Sequence, residues 1–125
     1  LGKLFQREVL KQIFCPEDTQ IDDEFTTWKT YLQASKIVYL DDEDYIYRLN
    51  QEGLPHRKNQ EDIRPLRSLE EEITFLHILG YDPRILEKIY IKRLKRCRKA
   101  YLNAGMYHEY QDVDFKLRMI AKNKP

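Results

Sequence analysis

A chain of 125 residues, 42% hydrophobic, 12% aromatic and 34% charged, has room for one domain and enough apolar area for a core. That composition excludes an intrinsically disordered chain, and no run approaches the roughly 18 consecutive apolar residues of a membrane-spanning helix. The formal charge of +1 hides a division, with 8 Lys/Arg against 13 Asp/Glu in residues 1–62 and 14 against 8 in residues 63–125; two surfaces of opposite sign are expected.

Leu4-Phe5-Gln6-Arg7-Glu8-Val9-Leu10 reads as a short amphipathic helix, broken at Phe14-Cys15-Pro16 because a proline disfavours helix at the residue before it. Asp22 or Asp23 then stands where an N-cap is wanted, and Phe25, Trp28, Tyr31 and Leu32 follow at helical spacing, predicting a helix over 22–34. Lys36-Ile37-Val38-Tyr39-Leu40 and Tyr45-Ile46-Tyr47-Arg48-Leu49 are β-branched and aromatic, and the acidic turn Asp41-Asp42-Glu43-Asp44 separates them, which predicts a two-strand element. From Asn50 to Pro65 the chain is polar and reads as a loop.

The second half reads as three helices. Ser68-Leu69-Glu70-Glu71 has the form of a capping box and opens a helix that Gly80 stops. Asp82-Pro83 starts the next, with Leu86, Ile89, Tyr90, Leu94, Cys97 and Tyr101 in one stripe and Gly105 at its end. A last helix over about 107–122 turns Val113, Leu117 and Ile120 inward. The fold class is therefore α+β, mainly α.

Cys15 and Cys97 are too few for a disulfide framework or a zinc site. A reduced, cytoplasmic chain is expected, with both thiols as small buried hydrophobes.

The acidic knot Asp22-Asp23-Glu24 is the main candidate for chemistry. At a helix N-terminus the macrodipole favours deprotonated carboxylates, and a carboxylate held there suits a general base for a hydroxyl nucleophile; a plain helix cap explains the same residues. His77 and His108 have no partner pattern and read as surface or structural residues. Lys92-Arg93-Leu94-Lys95-Arg96-Cys97-Arg98-Lys99 places six cations in eight residues, suited to an anionic surface or to a solvated face.

Gly2-Lys3-Leu4-Phe5-Gln6-Arg7-Glu8, Phe14-Cys15-Pro16-Glu17, Asp22-Asp23-Glu24-Phe25, Lys36-Ile37-Val38-Tyr39-Leu40 and Tyr45-Ile46-Tyr47-Arg48 follow one another in an order that resembles the C-terminal part of the catalytic domain of bacterial family 2 glycosyltransferases, the inverting GT-A enzymes. The resemblance covers about residues 2–54. It implies that residues 1–57 are the C-terminal portion of a catalytic domain and 58–125 a helical extension. It implies that Asp23 is the base that takes a proton from the acceptor hydroxyl, with Asp22 and Glu24 holding the acceptor or orienting the base. Asp22 stands where the family more often has Glu. Arg48, with His56 and Arg57, would lie near the donor diphosphate, where a forked, permanently charged guanidinium suits phosphate oxygens; Gly53-Leu54 replaces a more usual Ser-Ile.

The same resemblance implies a nucleotide-sugar donor, a divalent metal (Mn or Mg), and a saccharide, lipid-linked or glycoprotein acceptor. The nucleotide-binding half and its metal-binding Asp-x-Asp would precede residue 1, so this fragment alone would be inactive and bind no metal. Asp112-Val113-Asp114 and Asp42-Glu43-Asp44 spell such a motif in the wrong context and read as chance. Peripheral membrane contact through the basic helix 83–104, self-association, and no binding of nucleic acid complete the expectations. The rival reading is a helical interaction module whose basic helix docks a partner or an anionic surface.

Overall fold

The computed structural model describes residues 2–15, 17, 22–46, 48 and 66–124. The backbone divides into two compact units, Leu1–Leu54 and Pro55–Pro125. The domain boundary expected after residue 57 falls outside the described residues.

In the first unit, α1 is one turn, Arg7–Leu10, and it packs against α2, Asp22–Gln33. Phe25 and Thr30 are the buried residues of α2, and the Thr30 hydroxyl donates to the Thr27 carbonyl at 2.6 Å. Tyr31 and Leu32, expected on the same apolar stripe, remain 42% and 38% exposed. Residues 36–46 carry strand-forming side chains, yet no strand forms among the described residues. A strand exists only by pairing, and an isolated hairpin lacks the third strand or helix that would stabilise it. Ile37, Val38, Tyr39 and Leu40 are accordingly well exposed. The fold of the described residues is mainly α, without the two-strand element.

The second unit contains α3 (Arg67–Ile78), α4 (Arg84–Asn103) and α5 (Tyr107–Asn123). The capping box expected at Ser68 is not used. The helix starts two residues earlier, at Arg67, with Leu66 in the cap position and no side-chain cap bond from it, and Ser68 is buried within the first turn. Burial fixes this start instead, because Leu66 packs against the core formed by Leu94, Cys97 and Val113.

Both helix ends marked by glycine close as expected. Gly80 (φ 83°) donates to the His77 carbonyl while Tyr81 donates to that of Leu76. Gly105 (φ 72°) and Met106 repeat the pattern onto Leu102 and Tyr101. A left-handed residue is required at each of these turns, and glycine adopts it without a Cβ clash. α4 begins at Arg84 with Pro83 in the cap position, one residue later than expected. Asp82 still accepts from the Arg84 backbone N–H at 3.1 Å.

The α4–α5 hairpin carries most of the packing. Arg98 pairs with Asp114 at 3.1 Å and Glu87 with Lys124 at 3.3 Å, which sets the two helices antiparallel. Tyr90, Tyr101, Leu117 and Ile120 pack around the buried Leu94, Cys97 and Val113. Ile89, expected in that stripe, is 43% exposed. Cys97 is the buried thiol; Cys15, expected to be buried, is exposed.

Candidate functional site

The acidic knot lies at the start of α2. Asp22 opens the helix, Asp23 is exposed in its first turn and Glu24 is half-buried. Asp23 thus combines access to solvent with the partial positive charge of a helix N-terminus. Phe25 and Thr30 are buried on the same helix. Trp28 is half-buried, with the Lys29 ammonium 5.2 Å from its ring centroid, a cation–π distance. The arrangement presents a carboxylate on a fixed helical turn and can do the chemistry of a base toward a hydroxyl.

Arg48 is exposed. His56 and Arg57, placed with it near a donor diphosphate on sequence grounds, lie outside the described residues, as does the Asp22 side chain.

Among the described residues no three His, Cys, Asp or Glu side chains converge as a metal-ligand set. The Asp112-Val113-Asp114 triplet is structural. Asp112 meets Lys116 at 3.3 Å, Asp114 meets Arg98 and Arg118, each at 3.1 Å, and Val113 between them is in the core. These carboxylates are neutralised by the helices' own cations, and the described residues do not fit the divalent ion that the family resemblance implies.

The basic run of α4 is sorted by the fold. Arg93 and Arg98 are half-buried, and Arg98 is committed to Asp114. Lys92, Lys95, Arg96 and Lys99 are exposed, so the cations gather on one side instead of encircling the helix.

A polar centre that sequence reasoning missed joins the three helices of the second unit. The Glu70 Oε1 atom accepts from Tyr90 Oη at 2.6 Å and from Lys116 Nζ at 2.9 Å. Burial pushes the Glu70 carboxyl up, but the hydrogen bonds from Tyr90 and Lys116 outweigh it and hold the group below the usual carboxylate range. Burial, reinforced by the bond to Glu70, raises the Tyr90 phenol well above its ordinary value. For Lys116, burial lowers the ammonium, and the hydrogen bonds and negative charges of Glu70 and Asp112 together more than restore it, leaving it raised. Beside this centre is an open cleft of ≈ 260 Å³ with Ile73, Ile91 and Ile120 in its lining, and the Glu87–Lys124 pair belongs to it. The adjacent acids at 70–72 were the only signal in the sequence, and they pointed to a capping role.

No family model matches the chain. The chain is 27% identical over 123 residues to Glycosyltransferase GlyG of Streptococcus pneumoniae serotype 4, a match covering 94% of this chain and 40% of that protein. The chain is related to a glycosyltransferase. It spans 40% of the length of that relative, and a match over 94% of the chain takes in the helical unit as well as the acidic knot. No helix of the described residues is long and apolar enough to cross a membrane.

Proposed function

We propose that this chain is the C-terminal part of an inverting, nucleotide-sugar-dependent glycosyltransferase, with residues 1–57 completing the catalytic domain and 58–125 forming a helical extension. The observation that carries this reading is the similarity to a glycosyltransferase along nearly the whole chain. The exposure of Asp23 in the first turn of α2 agrees with it.

In this reading the Asp23 carboxylate takes the proton from an acceptor hydroxyl. The hydroxyl oxygen forms the new bond to the anomeric carbon, and the bond to the diphosphate oxygen breaks on the opposite face. The nucleoside diphosphate leaves with the electron pair, and configuration inverts. Asp22 and Glu24 orient the acceptor or the base. Arg48, with His56 and Arg57, receives the diphosphate charge as it develops. The metal belongs to residues of the intact enzyme outside this chain, and no step involving it is assigned to the residues present.

The first unit also supports the reading through what it leaves uncovered. Leu4, Phe14, Tyr39, Leu40 and Ile46 are each more than 70% exposed, an apolar surface of the kind a larger catalytic domain would cover. Cytoplasmic placement and a saccharide, lipid-linked or glycoprotein acceptor follow from the same proposal. The test is to express the polypeptide together with its nucleotide-binding half and follow release of nucleoside diphosphate across a panel of nucleotide-sugar donors. Acceptor-dependent release from at least one donor is expected. Absence of turnover with every donor, in a folded protein that includes both halves, would sink the proposal.

A further inference from the structure

We propose that the outer face of α4 docks this protein on an anionic phospholipid surface. The proposal does not rest on the transferase reading. Lys88, Lys92, Lys95, Arg96 and Lys99 are all exposed. Their spacing of i, i+4, i+7, i+8 and i+11 confines them to an arc of about 100° along a length of about 16 Å.

No acid shares that face. Glu87 is the single carboxylate of α4, and it is turned to Lys124. The two basic residues of the run that do not belong to the stripe, Arg93 and Arg98, are half-buried beside it. The stripe is therefore a surface of one sign, and a partner that docks on it is anionic.

Two isoleucines decide which kind of anionic partner fits. Ile85 is 76% exposed and Ile89 43% exposed, and both fall on or at the edge of the same face, one to four turns ahead of the distal lysines. A duplex phosphate backbone offers nothing to bury an isoleucine. The headgroup–acyl boundary of a lipid leaflet does, and lysine stems lie along such a boundary with their ammonium groups among the phosphates. Apolar residues at one end and cations along the rest match a leaflet, whereas a nucleic acid would leave the two isoleucines unused.

The experiment is cosedimentation of the 125-residue chain with vesicles of about one-third phosphatidylglycerol in phosphatidylcholine, beside vesicles of phosphatidylcholine alone. Binding to the anionic vesicles only, declining as salt is raised, is expected. The triple variant Lys92→Gln, Lys95→Gln, Lys99→Gln should partition on the order of a hundredfold more weakly, since each cation near the surface is worth about fivefold. Its far-UV circular dichroism should match the parent, because all three side chains point to solvent. A second variant, Ile85→Ser with Ile89→Ser, keeps every charge and should weaken vesicle binding while leaving any retention of duplex DNA unchanged. Equal binding to both kinds of vesicle, no binding to either, or undiminished binding by the two variants would overturn the proposal. Retention of duplex DNA without vesicle binding would overturn it in favour of a nucleic-acid surface.

Discussion

Glu70 and Tyr90, twenty residues apart on α3 and α4, share a 2.6 Å hydrogen bond through a carboxylate oxygen that also accepts from Lys116 of α5 at 2.9 Å. One atom thereby ties three helices. The apolar core beside it is small, with Leu94, Cys97 and Val113 as its buried members. A unit with so little buried hydrocarbon depends more than a large one on each directed bond between its helices.

Removing either partner should therefore be felt across the unit. Tyr90→Phe is expected to cost about 1 kcal/mol, and Glu70→Ala about 2 kcal/mol because it leaves two donors facing a half-buried gap. The double variant should cost less than the two losses added, with a coupling of about 1 kcal/mol. Urea unfolding followed by far-UV circular dichroism measures all three. Strict additivity would show that the short contact carries no coupling.

The same centre sets the pH response. The Glu70 carboxyl is held below its ordinary value of 4.5, so its contribution is present above that value and is lost as pH falls through the lower folded value. Tyr90 and Lys116 are raised above their ordinary values of 10.0 and 10.5, so their contributions are present below those values and are lost as pH rises through the folded ones. Stability of the helical unit should be flat across neutral pH and decline on both sides. In Glu70→Gln the acid limb should flatten. An acid limb of unchanged steepness in that variant would place the responsible carboxylate elsewhere.

Leu94 is fully buried at the centre of the α4–α5 hairpin, and Ile85 on the same helix is 76% exposed. Leu94→Ala should destabilise the unit by about 3 kcal/mol through lost transfer energy and the cavity left behind. Ile85→Ala should change stability by no more than about 0.5 kcal/mol. Thermal unfolding of the two variants side by side checks the assignment of inner and outer faces. Similar losses in both would contradict it.

The helical half was legible in the sequence because its signals are local. Gly80 and Gly105 mark helix ends through backbone conformation, and the Leu94, Cys97, Val113, Leu117 and Ile120 pattern follows the helical repeat. What failed was whatever depends on partners distant in the chain. Ile37 to Leu40 have strand propensity but no ladder among the described residues, because pairing is a tertiary event. Ser68 and Glu71 spell a capping box that burial of Leu66 and Ser68 displaced. Glu70, Tyr90 and Lys116 meet across separations of 20 and 46 residues, beyond the reach of any periodicity. At the candidate site the sequence placed an N-cap at Asp22 or Asp23 and a helix from residue 22; the helix does begin at Asp22, so both acids lie within its first turn and neither is the cap. Chemistry at Asp23 is a property of what binds there, which a helix head alone does not specify.

The most direct test of the transferase reading is the single-turnover rate of sugar transfer by the polypeptide containing both catalytic halves, measured for the parent and for Asp23→Asn. The amide keeps the shape of the side chain and removes its basicity. The rate should fall by about 10²–10⁴-fold with binding of the donor unchanged, which is the share a positioned general base supplies. Transfer by Asp23→Asn at the parental rate would contradict the role of Asp23 and leave the acidic head of α2 as first-turn carboxylates that complement the helix dipole.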